Sequence, residues 1–425
     1  MNSLSLQNQK PNPRSIARLW PILLVFLSLS SRAEVSLKPS EFVNRIQQSL
    51  KTEDLYQAAR NKTTYQENIP TVFKNPQIQF GRGILEYNAG QGLADYQEFS
   101  VVQGLTVDGS PRKKKQMARI EGIKSSAKLQ QENLFFISQA LLLAAEATFT
   151  AKKLAHVKHR QEHLSLITNY LKSRKFNSPK KQLESQLLKV KLDEIEIENQ
   201  MVISKSSSLQ SQLQFLLGTN EAVVLYFKAP NENKVRSLVE KLKPKKTLPQ
   251  KMAQSDLKLA HLEKSIVDHQ WIPELQFYYI HSEEEFFGGN KVDVFGLGLE
   301  IPIFDMGRNR RALASANLRT MELKTKQTQL INYTQKQRLI QDVSLALKAL
   351  GVYTEQKIEA RERAFERASR HFKKGQIDAQ SFLDFEHEAH AGRAQRFQHQ
   401  LALLKGLVEL TALSGEETLL LDIFQ

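Results

Sequence analysis

The residues predict an α+β protein built from two copies of one unit, each running strand, strand, very long helix, turn, helix. Three observations carry this. Proline to aspartate spans 32 residues twice, Pro76 to Asp108 and Pro273 to Asp305, and the two halves are offset by 197 (273 less 76). Aspartate to the next turn spans 70 residues twice, Asp108 to Ser178 and Asp305 to Gly375. Between those marks the strands alternate apolar and polar residues, and the helical runs hold no proline and one glycine each, Gly122 and Gly351.

Taken in order, residues 1–33 carry Lys10, Arg14 and Arg18, an apolar run "LWPILLVFLSL" and a small-residue site ending at Ala33. That pattern is a secretory signal peptide; the rival reading is a membrane anchor. The first repeat occupies 34–240. It opens with a helical stretch from near Lys38, with Ser40 as its cap, followed by strands at about 75–87 and 97–108 and a helical hairpin at about 112–217. The second repeat occupies 241–425, with strands at about 272–286 and 291–304 and a hairpin at about 308–414. A helix of about 65 residues spans close to 100 Å, and the returning helix covers only half of it. The helical stretches before each strand pair, such as "QKMAQSDLKLAHLEKSIVDHQ", are placed to lie beside the upper part of the long helices.

Each long helix is entered through the same junction. In "GLGLEIPIFDMGRNRRALASANL" a strand with Phe295, Leu297 and Leu299 on one side passes through Asp305 and Gly307 into a basic helix. Asp108 and Gly109 are the duplicate. Glycine accepts the backbone turn, and Arg308, Arg310 and Arg311 stand where water and lipid headgroups would begin. Four strands leave two unpaired edges, which lipid cannot satisfy. They either close against strands of other copies or stay in water.

The formal charge is +15, or +11 once Lys10, Arg14, Arg18 and Arg32 leave with the signal. In an exported chain this fits solvated helix faces and anionic headgroups better than nucleic acid. With no cysteine, disulfides, thiolate metal sites and cysteine nucleophiles are excluded. The strand glycines of "FGRG" and "FGLGLE" do not form a phosphate loop, and no nucleophile, base and acid arrangement marks an enzyme. "HEAH" (His387 to His390), with His371 and His399 nearby, has metal-ligating residue types, but without a fixed third-ligand spacing solvated histidines are the plainer reading, so no metal site is assigned.

With these motifs in place the chain resembles the TolC-type outer membrane efflux protein family, over essentially all of the sequence after the signal. "LEIPIFDMGRNRRALASA" is similar to the family's strand-to-helix junction, "GLTVDGSPRKKKQMARIEG" to the same junction in the first half, and "RASRHFKKGQIDAQSFLDFEHE" to its second hairpin tip. The resemblance implies a homotrimer. Each chain would give four strands to a twelve-stranded barrel in the outer membrane and its helices to a periplasmic tunnel, with an inner-membrane pump (RND or ABC) and a periplasmic adaptor as partners and no cofactor. It places a pore constriction at the second tip: Gly375 matches the turn glycine, Phe372 the aromatic before it, and Asp384 the inner constriction carboxylate. Ser381 stands where the outer carboxylate would be and Ile377 where a latching arginine would be; Glu388, one turn on, is a candidate second ring. Adaptor docking falls at the tips, Asn177, Ser178, Pro179 and Gly375. "SP" after the first tip is similar to the heavy-metal branch of the family. The alternative is a periplasmic coiled-coil adaptor or scaffold without a channel.

Overall fold

A computed structural model describes residues 34–70, 72–86, 93–173, 178–227, 230–284, 290–300 and 307–424. The signal-peptide expectation and the calls at Asn177 and Asp305 therefore lie outside the described residues.

The elements run β1 (Glu34–Leu37), α1 (Pro39–Ser49), α2 (Thr52–Asn68), β2 (Gln77–Glu86), β3 (Leu93–Leu105), α3 (Ser110–Ser173), α4 (Pro179–Leu217) and β4 (Ala222–Leu225). They continue with α5 (Glu232–Leu242), α6 (Leu248–Asp268), β5 (Glu274–Glu284), β6 (Asn290–Glu300), α7 (Arg308–Val352), α8 (Glu355–Lys373), α9 (Ala379–Ser414) and α10 (Glu417–Phe424). Two compact units emerge, each drawing on both repeats: unit 1 is Met1–Ser49, Ala140–Lys228 and Tyr353–Leu401, and unit 2 is Leu50–Gln139, Ala229–Val352 and Ala402–Gln425.

Heptad spacing organises the helices. Buried positions on α4 include Leu188, Ile195, Val202 and Leu209, each seven residues from the last, and Val157, Leu164 and Leu171 repeat the interval on α3. In unit 2, α7 buries Thr325, Asn332, Leu339 and Ala346 at the same interval. A seven-residue repeat keeps one seam facing its partner, as in a left-handed supercoil. The unit 1 core gathers Leu164, Ile167, Leu188, Ile195, Phe365, Phe372 and Phe382, among others. In unit 2, Leu242, Leu339 and Leu410 form a second cluster. An 18-residue window of α3 reaches a mean hydropathy of 1.5, enough by composition for a membrane span. Part of that apolar stretch, Ile137, Leu141 and Ala145 among it, is core, while Phe135 and Phe136 beside it are exposed.

Two expected helices are interrupted. The stretch read from near Lys38 is two helices, separated at Lys51, whose φ of 47° is left-handed. Ser40 is not the cap: Pro39 takes the first helical position, where its missing N–H costs nothing, and Lys38 precedes it, donating its own N–H to Glu41 Oε2 at 3.2 Å. The run Arg308 to Lys374 likewise breaks after Val352, because Thr354 caps a new helix by accepting from Lys357 N–H. Tyr353 is held at the break by Arg396, whose guanidinium donates to its carbonyl at 2.5 Å.

The first and fourth strands form a parallel pair in unit 1, Glu34 opposite Ala222 through Leu37 opposite Leu225, which the sequence reading did not anticipate. Nor did it anticipate α5, just beyond whose C-terminus the carbonyls of Lys243 and Lys245 accept from the buried Lys336 ammonium at 2.9 and 2.6 Å. The helix placed ahead of the second strand pair is α6. Its Thr247 and Gln250 form a reciprocal capping box, and it packs along α7. In the first repeat, α2 lies along α3 in the same way, with Arg119 donating to Glu67 at 3.0 Å.

Candidate functional site

Unit 2 carries an antiparallel sheet in the order β2-β3-β5-β6. Register places Ile78 opposite Val101, Val101 opposite Tyr279 and Tyr279 opposite Phe295. One face therefore holds Ile78, Phe80, Val101, Phe277, Phe295, Leu297 and Leu299 side by side. Phe80, Phe295 and Leu297 are 70%, 79% and 66% exposed, so among the described residues nothing covers this apolar band. Towards the connecting loops the same face turns polar: Arg82 pairs with Asp95 at 2.9 Å, and Asp293 accepts from Tyr279 at 2.8 Å. The opposite face is mixed, with Gln79, Gly81, Ser100, Gly296 and Gly298 beside Val102, Tyr278, Ile280, Val292 and Val294. Among the described residues, β2 and β6 each have one unpaired edge. The second strand starts earlier and ends sooner than the spacing implied, leaving Val107 beyond it.

Where sheet becomes helix, the two repeats use the same geometry. Gly109 and Gly307 have φ of 74° and 67°, and each offers its carbonyl to the helix, to Lys113 N–H at 3.4 Å and Arg311 N–H at 2.8 Å. Asp108 adds a side-chain cap, accepting from Ser110 N–H at 2.8 Å. An added Cβ would meet nothing within 4 Å at either glycine, so only the backbone angle demands it. Gly109→Ala and Gly307→Ala are each expected to destabilise by about 1–2 kcal/mol. Gly351→Ala, in an open helical position, should stabilise by up to about 1 kcal/mol. Denaturant unfolding of the three variants checks the contrast, and equal effects would remove the backbone argument.

The hairpin ends lie together in unit 1. At the second end Gly375, φ 73°, closes a Schellman turn: its N–H goes to the Phe372 carbonyl and that of Gln376 to His371. At the first, Ser178 is the N-cap by position and Pro179 opens α4, but the Ser178 side chain makes no capping bond. Tyr170 donates to the Lys373 carbonyl at 2.8 Å, and the Lys181 ammonium stands 5.9 Å from the Phe372 ring centre, so the two ends touch.

The constriction candidates separate into two groups. Phe372 is buried, stacked on Phe382 with ring centres 5.0 Å apart, and Ile377 packs against the same cluster. Both side chains are therefore taken up in the core of unit 1. Ser381 is half-buried, its N–H donating at 2.9 Å to Asp378, the residue just before α9. That contact, first among its causes, holds the Asp378 carboxyl below its usual range. Asp384 and Glu388 instead share the exposed face of α9. Asp384 accepts from Gln380 at 3.0 Å, and Glu388 lies 3.6 Å from Arg361 of α8.

Sequence reasoning missed the charged cluster beneath them. Arg160 of α3 reaches Glu386 through two nitrogens, Nε and Nη2, the latter at 3.0 Å, and Glu198 of α4 at 3.2 Å. Glu386 is fully buried, beside a His156 and His390 pair. The available signal was the inward stripe Phe382, Leu383, Glu386, Ala389, His390, in which two polar residues occupy core positions of a helix.

An edge-exposing sheet with an apolar outer band, joined through left-handed glycines to paired long hairpins, defines the TolC-like fold. Residues 251–416 match the model of the family described as outer membrane efflux protein. Among curated proteins none matches. Solved structures with the same fold include a membrane protein from Pseudomonas aeruginosa, 14% identical, covering 88% of this chain and 90% of that one at a TM-score of 0.69. The outer membrane protein VceC of Vibrio cholerae is 14% identical, with 87% and 95% covered and a TM-score of 0.63. The MtrE outer membrane channel of Neisseria gonorrhoeae, in its open state, is also 14% identical, with 89% and 88% covered and a TM-score of 0.61. The likeness to the outer membrane efflux protein family drawn from the junction and tip motifs is thus borne out, by the family match over 251–416 and by a shared fold over 87–89% of the chain.

Proposed function

We propose that this chain is the outer membrane channel of a tripartite efflux or type I secretion system, a passive duct and not an enzyme. It would work as a homotrimer with an inner-membrane pump, RND or ABC, and a periplasmic adaptor docking at Ser178, Pro179 and Gly375. The observation that carries the reading is the sheet: four strands with two unpaired edges and an uncovered apolar band need neighbours and lipid together. Three copies supply twelve strands and leave no edge. The helices support it independently, since α4 carries a second heptad seam, Leu183, Leu187, Val190, Ile197 and Met201, which is exposed and free for another copy.

Asp384 would form a ring of three carboxylates at the periplasmic end, attracting cations at short range. Asp384→Ala is expected to lower cation selectivity and relieve block by multivalent cations in planar-bilayer recordings, with unit conductance largely retained. Unchanged selectivity would remove the ring. Recovery of the whole protein in the soluble periplasmic fraction, with no discrete conductance after reconstitution, would instead support the adaptor alternative, which no observation here favours.

A further inference from the structure

Four of the ten histidines in the chain line one cleft of about 670 Å3 in unit 1, between α3, α8 and α9. His156, His159 and His163 fall at i, i+3 and i+7 of α3, on one helix face, and His390 faces them from α9. This is a different set from the one that "HEAH" pointed to: His387 of that motif is exposed, and only His390 turns inward. We propose that this cleft binds a divalent transition-metal cation, anchored by the imidazoles of His159 and His163.

Geometry supports the anchor. Two imidazoles that share one metal at about 2.0–2.1 Å from nitrogen have ring centres roughly 5 Å apart. The His159 and His163 rings stand 4.5 Å apart. The His156 and His390 rings are 4.6 Å apart, with Nδ1 of His390 2.9 Å from Nε2 of His156. His390 is 8% exposed, and its Nε2 makes no hydrogen bond, with the Glu386 carboxylate 3.7 Å away. A buried nitrogen left in that condition is costly unless something else takes its lone pair or proton.

The surroundings favour the neutral form of His156, His163 and His390, the form a metal requires. Burial, aided by Arg393 and Arg160, lowers His156 to about 4. Burial, with His156 and Arg160, lowers His390 to about 2. His163 is lowered by burial and by His159, against an opposing pull from Glu366 and Glu162. The cations of the cleft, Lys152, Arg393 and Arg396, are matched in number by Glu355, Glu362 and Glu366. Arg393 is already held by Glu362 at 2.8 and 2.9 Å, so it does not confront an incoming cation unpaired. Glu366 of α8, which lines the same cleft, is an oxygen donor facing His163 of α3.

As placed, no three such side chains converge on one point among the described residues. The site is therefore a two-imidazole chelate completed by solvent, an exchanging site and not a closed structural one. Imidazole donors select Cu2+, Ni2+ or Zn2+ over Mg2+ and Ca2+, which take oxygen ligands.

The test is calorimetric titration of the tag-free protein in detergent with Cu2+, Zn2+ and Mg2+, together with the electron paramagnetic resonance spectrum of the Cu2+ complex. Binding of Cu2+ and Zn2+ with nitrogen hyperfine structure is expected, and His159→Ala or His163→Ala should weaken it roughly tenfold or more as the chelate is lost. His387→Ala, on the exposed face of α9, should leave it unchanged. His159 is itself exposed, so far-UV circular dichroism should show these variants folded. Cu2+ affinity no higher than that of the His159 and His163 double variant, equal loss in His387→Ala, or equal affinity for Mg2+ would overturn the site. The readout is equilibrium binding, so its failure leaves the conductance test of the channel untouched.

Discussion

Arg160→Ala is expected to destabilise unit 1 by about 3–5 kcal/mol, because it strands the Glu386 carboxylate in a place water does not reach. Glu386 is 0% exposed and the Arg160 side chain 12%. Glu386→Ala should fall at the lower end of that range, since the guanidinium it abandons keeps Glu198 at 3.2 Å, itself backed by Lys153 at 3.0 Å. Replacing both partners, Arg160→Met with Glu386→Leu, should come out near neutral: the pair mainly offsets its own desolvation, and apolar side chains of similar volume fill the same space. Denaturant unfolding of the three variants reads this directly. A single-variant loss under about 1 kcal/mol would mean that water reaches the pair and screens it.

Leu297→Arg should have the next largest effect, and its size depends on what covers the sheet. Facing hydrocarbon near the bilayer midplane, the substitution costs about 2–4 kcal/mol, falling towards zero near the interface. In water the same change on a side chain already 66% exposed costs almost nothing. Gly298→Ala, on the opposite face where a Cβ meets only Gln276 at 3.6 Å, is the control and should be tolerated. Yield of membrane-inserted protein, and its resistance to urea extraction, would separate the two. Full insertion of Leu297→Arg alongside normal Gly298→Ala would argue against a lipid-facing band.

Much of this architecture is written in short-range chemistry. Alternating Phe295, Leu297 and Leu299 fix a face, because strand side chains alternate with period two. Gly109, Gly307 and Gly375 fix turns, because a left-handed φ excludes most other residues. Both signals are local, and the repeat doubles them. What stayed hidden depends on distant partners or on weak punctuation. The β1 and β4 pair joins residues almost 190 positions apart (222 less 34), and four-residue strands carry too little pattern to stand out. The break at Thr354 was signalled only by Gly351 and a threonine followed by Glu355, against a run otherwise rich in helix formers. At the candidate site, Asp384 and Glu388 could be placed on one helix face by their spacing of four. No spacing rule could say that Arg160 lies under Glu386, or that His156 would meet His390 from 234 residues away. Phe372 could be placed just ahead of the turn at Gly375, but a motif does not tell whether an aromatic ring points outward or, as here, into its own core.

The interruption at Tyr353 and Thr354 makes the two copies mechanically unequal. A helix unbroken for 64 residues, as in the first copy, bends only as a stiff rod, and any sharp kink would cost it hydrogen bonds. In the second copy those bonds are already missing at one point, with each side separately terminated and capped. The first copy is therefore one continuous rod, while the second is two separately ended segments that meet at Tyr353 and Thr354.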